Sequence, residues 1–267
     1  MGNRPSSLPP TPSLIGMREG EEDTATGSLP RDSSGLPLSH SDEGGGWGEG
    51  ETGGAVAIID YGVGNLRSVQ KAFEAQGHTA VITRDVDAIR AAPRVLLPGV
   101  GAFGAAANTL REVGLESVAI EAAHSGKPFL GICVGMQLLF TGSEEMGTHR
   151  GLDLIPGRVL RFDERNLGDA ARGFKVPQIG WNALHFPDAN RPRSPIFAGL
   201  DENAEVYFVH SYFCRPEDDV RFTAARTDFI APYTSAVWNG ANVYGTQFHP
   251  EKSGDVGLRI LDNFAKL

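Results

Sequence analysis

Residues 55–267 predict an α/β fold: an open, mostly parallel twisted sheet with flanking helices, extended by antiparallel strands in the C-terminal half. Three observations carry this expectation. From 55 to 141, short apolar runs alternate with helical patterns, the texture of a parallel core. After Leu154 the helical patterns give way to short strands separated by turn residues. Between the two regimes, residues 127–137 read as a buried strand that turns at a cysteine and continues as a helix.

Taken in order, the first strand covers 55–60, Val56-Ala57-Ile58-Ile59-Asp60. A glycine loop follows, then a helix over 66–76 that stops at Gly77. Strands are expected at 78–83 and 94–97, the second ending in the Pro98-Gly99 turn. Helical patterns cover 103–113 and 115–124. The strand at 128–132 feeds a helix over 134–141. Further strands are expected at 159–162, 181–185, 205–213, 222–226, 236–238 and 243–248, and a last helix over 254–266. In open sheets of this kind, active sites lie outside the carboxyl ends of the strands. Cys133 and the 98–101 turn both fall there.

Composition sets the boundaries. Residues 1–54 hold 12 Gly, 8 Ser and 6 Pro, and nine acidic residues against three basic give them −6 of the chain's −9 net charge. Such a segment cannot offset chain entropy by burial, so it is expected to be a disordered, low-complexity extension. Residues 55–267 are then one domain. The extension has no apolar core for a secretory signal, and its acids disfavour a transit peptide. One reading is a start site assigned too early, with the native start near Val56; peptides from residues 18–31 in the native source would exclude it. No run approaches membrane-spanning length. The acidic balance, without a basic stripe, speaks against nucleic-acid binding. No metal-ligand spacing is present. Two cysteines, Cys133 and Cys214, make no disulfide framework, which suits a reducing cytoplasm.

The chemistry concentrates in two segments. Gly131-Ile132-Cys133-Val134-Gly135 is a strand-to-helix elbow with a thiol in the nucleophile position. The flanking glycines leave room at the turn. The following helix aims free N–H groups and a positive dipole end at the sulfur, which favours the thiolate. Most free cysteines are inert core, and a lone elbow in a Gly-rich chain would decide nothing. A partner segment decides it: Phe248-His249-Pro250-Glu251, where a strand delivers His249 and Glu251 follows at i+2 on the same side. A carboxylate there can accept the imidazole N–H and leave the other ring nitrogen for the thiol.

These motifs together resemble the class I (triad) glutamine amidotransferases, over roughly residues 55–267. The resemblance implies a flavodoxin-like sheet and a Cys133–His249–Glu251 triad that hydrolyses glutamine's side-chain amide and passes ammonia to an acceptor site. No cofactor is implied. The oxyanion donors would be the backbone N–H of Val134 and, from the Pro98-Gly99-Val100-Gly101 loop, that of Val100. That loop is expected to rearrange when the partner is loaded. Gly99, Gly101, Gln137, Ser211 and Tyr212 would cradle the substrate. For Gln137 a plain helix-surface role stands equally, and for Tyr212 that of a half-buried strand aromatic.

A further set is similar to one branch of the family: Asp60-Tyr61-Gly62-Val63-Gly64-Asn65, Pro98-Gly99-Val100-Gly101, Gly180-Trp181-Asn182, Val209-His210-Ser211-Tyr212 and Glu251-Lys252-Ser253. In that branch the ammonia goes to a separate (β/α)₈-barrel cyclase subunit in a heterodimer, which makes imidazole glycerol phosphate and AICAR in histidine biosynthesis. Tyr61, Asn65, Trp181 and Lys252 would meet that subunit. Simpler roles stand beside these: helix N-cap for Asn65, core for Trp181, solvated cation for Lys252. The alternatives are a glutaminase for anthranilate or pyridoxal phosphate synthesis, or a silent binding module of the same fold. Two positions depart from the branch pattern, Gln178 where His is frequent and Phe213 where Tyr is frequent, which puts fine interface contacts in doubt.

Overall fold

A computed structural model describes residues 55–187 and 191–267; the expected N-terminal extension, 1–54, lies outside the described residues. The chain opens with β1 (Ala55–Ile59), α1 (Leu66–Glu74) and β2 (Thr79–Thr83). Then come α2 (Val86–Ala91), β3 (Val95–Leu97), α3 (Phe103–Glu112), α4 (Glu116–His124) and β4 (Phe129–Ile132). Next are α5 (Val134–Leu138), β5 (Phe140–Ser143), β6 (His149–Arg150), β7 (Ile155–Arg161) and α6 (Glu164–Leu167). After these come β8 (Gln178–Ala183), β9 (Glu205–His210), β10 (Tyr212–Pro216), α7 (Asp219–Phe222) and β11 (Thr223–Asp228). The chain closes with β12 (Pro232–Trp238), β13 (Val243–Thr246) and α8 (Gly254–Ala265).

One large sheet runs β2-β1-β3-β4-β13-β12-β10-β7-β5-β6, with β11 on β12. Its first five strands pair in parallel. From β13 outward, β12, β10 and β7 pair antiparallel. Of these, β1, β3, β4 and β13 are buried on both faces, hence the unbroken apolar runs of β1 and β3, whereas the edge strand β2 is partly exposed. Strand order reverses at β1, so right-handed crossovers send α1 to one face and α2 to the other. Helix pairing agrees: α1 packs on α8, with Phe73 and Phe264 rings 6.4 Å apart, whereas α2 packs on α4.

Two expectations are corrected, and one element had no expectation. The helix expected over 134–141 ends at Leu138, because Phe140–Ser143 forms a strand against β7. The strand expected over 205–213 breaks at Ser211. β9 pairs with β8 in a separate two-stranded sheet, while β10 joins the large one. Helix α2 was not anticipated; Asp85 caps it by accepting from Ala88 N–H at 2.8 Å.

Candidate active site

Strands β3, β4 and β13 end side by side, and the turns leaving them build the site. Cys133 follows β4 with φ 55° and ψ −112°, strained values for a residue with a side chain. Its backbone N–H is held by the Thr246 carbonyl at 2.7 Å, so the end of β13 fixes the elbow. Gly99 lets the neighbouring turn press onto the elbow. A Cβ there would stand 2.5 Å from Gly135 N and 2.8 Å from the Val134 carbonyl carbon. Gly135 reciprocates: a Cβ on it would meet the Leu97 carbonyl oxygen at 2.0 Å.

His249 leaves β13 and is tied by its N–H to the Tyr207 carbonyl of β9 at 3.0 Å. Ser253 Oγ donates to the His249 carbonyl at 2.6 Å and accepts from Tyr207 N–H at 3.0 Å. The ring's Nδ1 lies 2.8 Å from Glu251 Oε1, and both side chains are almost sealed from solvent. Burial works against charge on this imidazole. Hydrogen bonding and charge from Cys133 and Glu251 outweigh it and raise the ring to about 10. It therefore holds its proton at neutral pH. Glu251 Oε2 is buried without a hydrogen-bond partner among the described residues.

A cleft of about 380 Å³ opens over the sulfur. Val100, Gly101, Cys133, Val134, Gln137, Ser211, Tyr212, His249 and Lys252 all line it. Gly99 does not; it is buried behind the cleft against the elbow. Ser211 and Tyr212 reach the cleft because the chain breaks there between the two sheets. Gln137 is buried rather than on the helix surface, and its Nε2 reaches the Tyr212 carbonyl at 3.4 Å and Gln247 Oε1 at 3.2 Å.

The four residues expected at a partner surface divide. Asn65 and Lys252 are exposed, and Asn65 stands at the N-cap of α1 without a side-chain capping bond. Trp181 is 55 % exposed and stacks edge-on with Tyr207. Tyr61 is the correction: its ring is 1 % exposed and packs in the core, so it presents no side chain to a partner. Gln178 and Phe213, the two departures, are likewise buried, so they alter interior contacts and not a surface.

Three residues of the site were missed from sequence. Glu145 lines the cleft, and its Oε2 accepts from Phe103 N–H, the start of α3, at 2.7 Å. His210 also lines the cleft; burial chiefly, with the charge of His249, pushes it down to about 4. Gln247 Nε2 points at Cys133 Sγ, 3.9 Å away. Strand parity could have flagged Gln247, two residues before His249 and on its side. Among the described residues no group of three or more His, Cys, Asp or Glu could hold a metal ion, and no helix is long and apolar enough to cross a membrane.

The family model "Glutamine amidotransferase class-I" matches residues 57–267. The chain is 50 % identical over 214 residues to the "Imidazole glycerol phosphate synthase subunit HisH" of Syntrophotalea carbinolica, covering 79 % of this chain and 100 % of that protein. It is 47 % identical over 212 residues to the subunit of the same name from Geobacter sulfurreducens, covering 79 % and 98 %. In fold it is similar to PurLQS from Thermotoga maritima, with TM-score 0.60 and 21 % identity over 80 % of this chain and 98 % of that one.

Proposed function

This chain belongs to the class I glutamine amidotransferase family, and from that premise we propose that it is the glutaminase subunit of an imidazole glycerol phosphate synthase. It hydrolyses glutamine to glutamate and ammonia through Cys133, His249 and Glu251. The ammonia passes to a separate (β/α)₈-barrel cyclase subunit in a heterodimer of histidine biosynthesis. Residues 55–267 form the amidotransferase domain, and 1–54 are an extension outside it. The relatives' names supply the branch. The observation that carries the chemistry is the 2.8 Å His249 Nδ1–Glu251 Oε1 contact, with His249 and Cys133 lining one cleft.

The reaction follows from these groups. The Cys133 thiolate attacks glutamine's carboxamide carbon. The oxyanion that forms takes N–H bonds from Val134 and Val100. As the C–N bond breaks, His249 gives its proton to the departing nitrogen and ammonia leaves, with a thioester on sulfur. The neutral imidazole then takes a proton from water. The hydroxide attacks the thioester, glutamate leaves, and the thiolate–imidazolium pair is restored. Glu251 holds the ring orientation and offsets its charge throughout. Gly101, Gln137, Ser211 and Tyr212 hold the amino-acid end of the substrate.

Exposed Trp181, Asn65 and Lys252 form part of the docking surface. Glutamate release measured with and without the barrel cyclase and its nucleotide ligand tests this reading. Strong stimulation by that cyclase, abolished in Cys133→Ala, supports it. Stimulation only by a different synthase, or no turnover with any partner, overturns it.

A further inference from the structure

We propose that a buried hydrogen-bonded chain running from Gln178 through Tyr233, His210, the Tyr212 carbonyl, Gln137 and Gln247 to Cys133 Sγ sets the position of the nucleophile and of Gln137, with Tyr233 and Gln247 as its positioning residues. The role rests on the glutaminase reading above; the chain itself does not.

Each link has hydrogen-bond geometry. Tyr233 Oη lies 2.9 Å from Gln178 Oε1 and 3.2 Å from His210 Nε2. His210 Nδ1 lies 2.8 Å from the Tyr212 carbonyl oxygen. That oxygen also accepts from Gln137 Nε2, whose other hydrogen goes to Gln247 Oε1. Gln247 Nε2–H ends the chain on the sulfur. All the side chains in it are buried, Gln247 completely. Phe162, Phe208 and Phe213 pack around Tyr233, and two of them around His210. Gln178 and Tyr233 do not line the cleft, so a broken link there leaves a buried polar group without a partner, and that end of the chain holds as a unit.

Its direction follows from proton counting. Tyr233 has one hydrogen. If it went to Gln178 Oε1, His210 would have to donate from both nitrogens, as only an imidazolium can. Burial keeps His210 neutral, pushed down to about 4. That arrangement also leaves Gln178 Nε2 buried without a partner among the described residues. Turning the Gln178 amide over removes the first conflict and gives the nitrogen a partner; the amide oxygen then takes the position that has no partner among the described residues. Its N–H then donates to Tyr233 Oη, the Tyr233 hydroxyl to His210 Nε2, and His210 Nδ1–H to the Tyr212 carbonyl. From there both hydrogens of Gln137 are committed, which leaves its carbonyl oxygen as what it offers the cleft. At the far end, an N–H donated to sulfur favours the anion.

The chain starts at the first residue of β8, whose Ile179 is 63 % exposed, and ends on the reacting atom.

The test uses the full chain. In the wild type at pH 7, ¹⁵N-histidine spectra are expected to show His210 as the neutral Nδ1–H tautomer. Tyr233→Phe keeps the ring and removes the hydroxyl. It is expected to raise KM for glutamine about fivefold, with kcat moving less than twofold, while His210 keeps its Nδ1–H because the Tyr212 carbonyl still accepts from it. Gln178→His, which can still donate to Tyr233, is expected to keep wild-type values. Gln247→Met is expected to slow iodoacetamide alkylation of Cys133 about fivefold. A His210 Nε2–H tautomer in the wild type, an unchanged KM in Tyr233→Phe, or an unchanged alkylation rate in Gln247→Met would each overturn the proposal. If Tyr233→Phe fails to fold, the wild-type tautomer and Gln247→Met decide. Neither readout needs turnover, so a chain that never releases glutamate would defeat the glutaminase reading and leave this one to be judged separately.

Discussion

Tyr61 Oη donates a 2.8 Å hydrogen bond to the carbonyl of Pro98, joining the loop after β1 to the turn after β3. The two strands flank the point where strand order reverses, so the bond spans the crevice of the sheet. It pins the first residue of the turn that carries Val100. Tyr61 thus works from beneath the site, on the loop proposed to supply an oxyanion donor.

Removing that hydroxyl leaves a buried carbonyl unpaired. Tyr61→Phe is expected to cost about 1–3 kcal/mol, a fall in Tm of a few degrees. Scanning calorimetry checks it; an unchanged Tm contradicts it. Glutamate release is expected to fall as well, because the Val100 peptide loses its anchor.

Gly99→Ala places a methyl against backbone atoms of Val134 and Gly135, which cannot swing aside. Either the turn or the elbow must shift, and both carry proposed oxyanion donors. Loss of one such donor costs about 10²–10³ in turnover. A kcat reduction of about that size is expected in a variant with a wild-type circular dichroism spectrum. Activity within tenfold of wild type would show the approach is not needed.

Stability is expected to fall on both sides of about pH 6.5. His210 has a folded pKa of about 4, below its unfolded value of about 6.5. Its contribution is whole above about pH 6.5 and is lost as pH falls toward 4, by about 3 kcal/mol. His249 has the opposite sign. Its folded pKa of about 10 lies above the unfolded value, so its contribution is present below about pH 6.5 and is lost as pH rises through 10. Urea unfolding at pH 5, 7 and 9 checks this. His210→Gln should flatten the acid limb and Cys133→Ala the alkaline one; equal stability at pH 5 and 7 contradicts the first.

Glu251→Gln keeps the size of the side chain and removes its charge. His249 then loses the carboxylate that orients and supports its imidazolium. A kcat loss of about 10²-fold or more is expected, with KM for glutamine little changed. A loss confined to KM would place Glu251 in substrate binding instead.

Local patterns reached far into this molecule. The parallel half was legible because β1, β3 and β4 are short, unbroken apolar runs separated by helical periods. Cys133 was legible because its glycine-flanked elbow is matched by the His249 and Glu251 segment downstream. What stayed hidden depends on contacts across the chain. Gln247 meets Cys133 from 114 residues away, and no local spacing encodes that meeting. Tyr61 looked like a loop residue, yet only the fold shows the Pro98 carbonyl waiting beneath it. The break at Ser211 was invisible because Glu205–His210 and Tyr212–Pro216 are both good strands; the sheets they join differ, and pairing is not written in either run. Glu145 sits in a turn whose only visible feature is charge.

The central claim is that Cys133 is the nucleophile His249 serves in breaking glutamine's amide. The most direct measurement is the steady-state release of glutamate from glutamine by the full chain with the barrel cyclase and its nucleotide ligand, run beside Cys133→Ala and His249→Ala. Turnover in the wild type alone is the expected result. Glutamate released by Cys133→Ala as fast as by the wild type would contradict it.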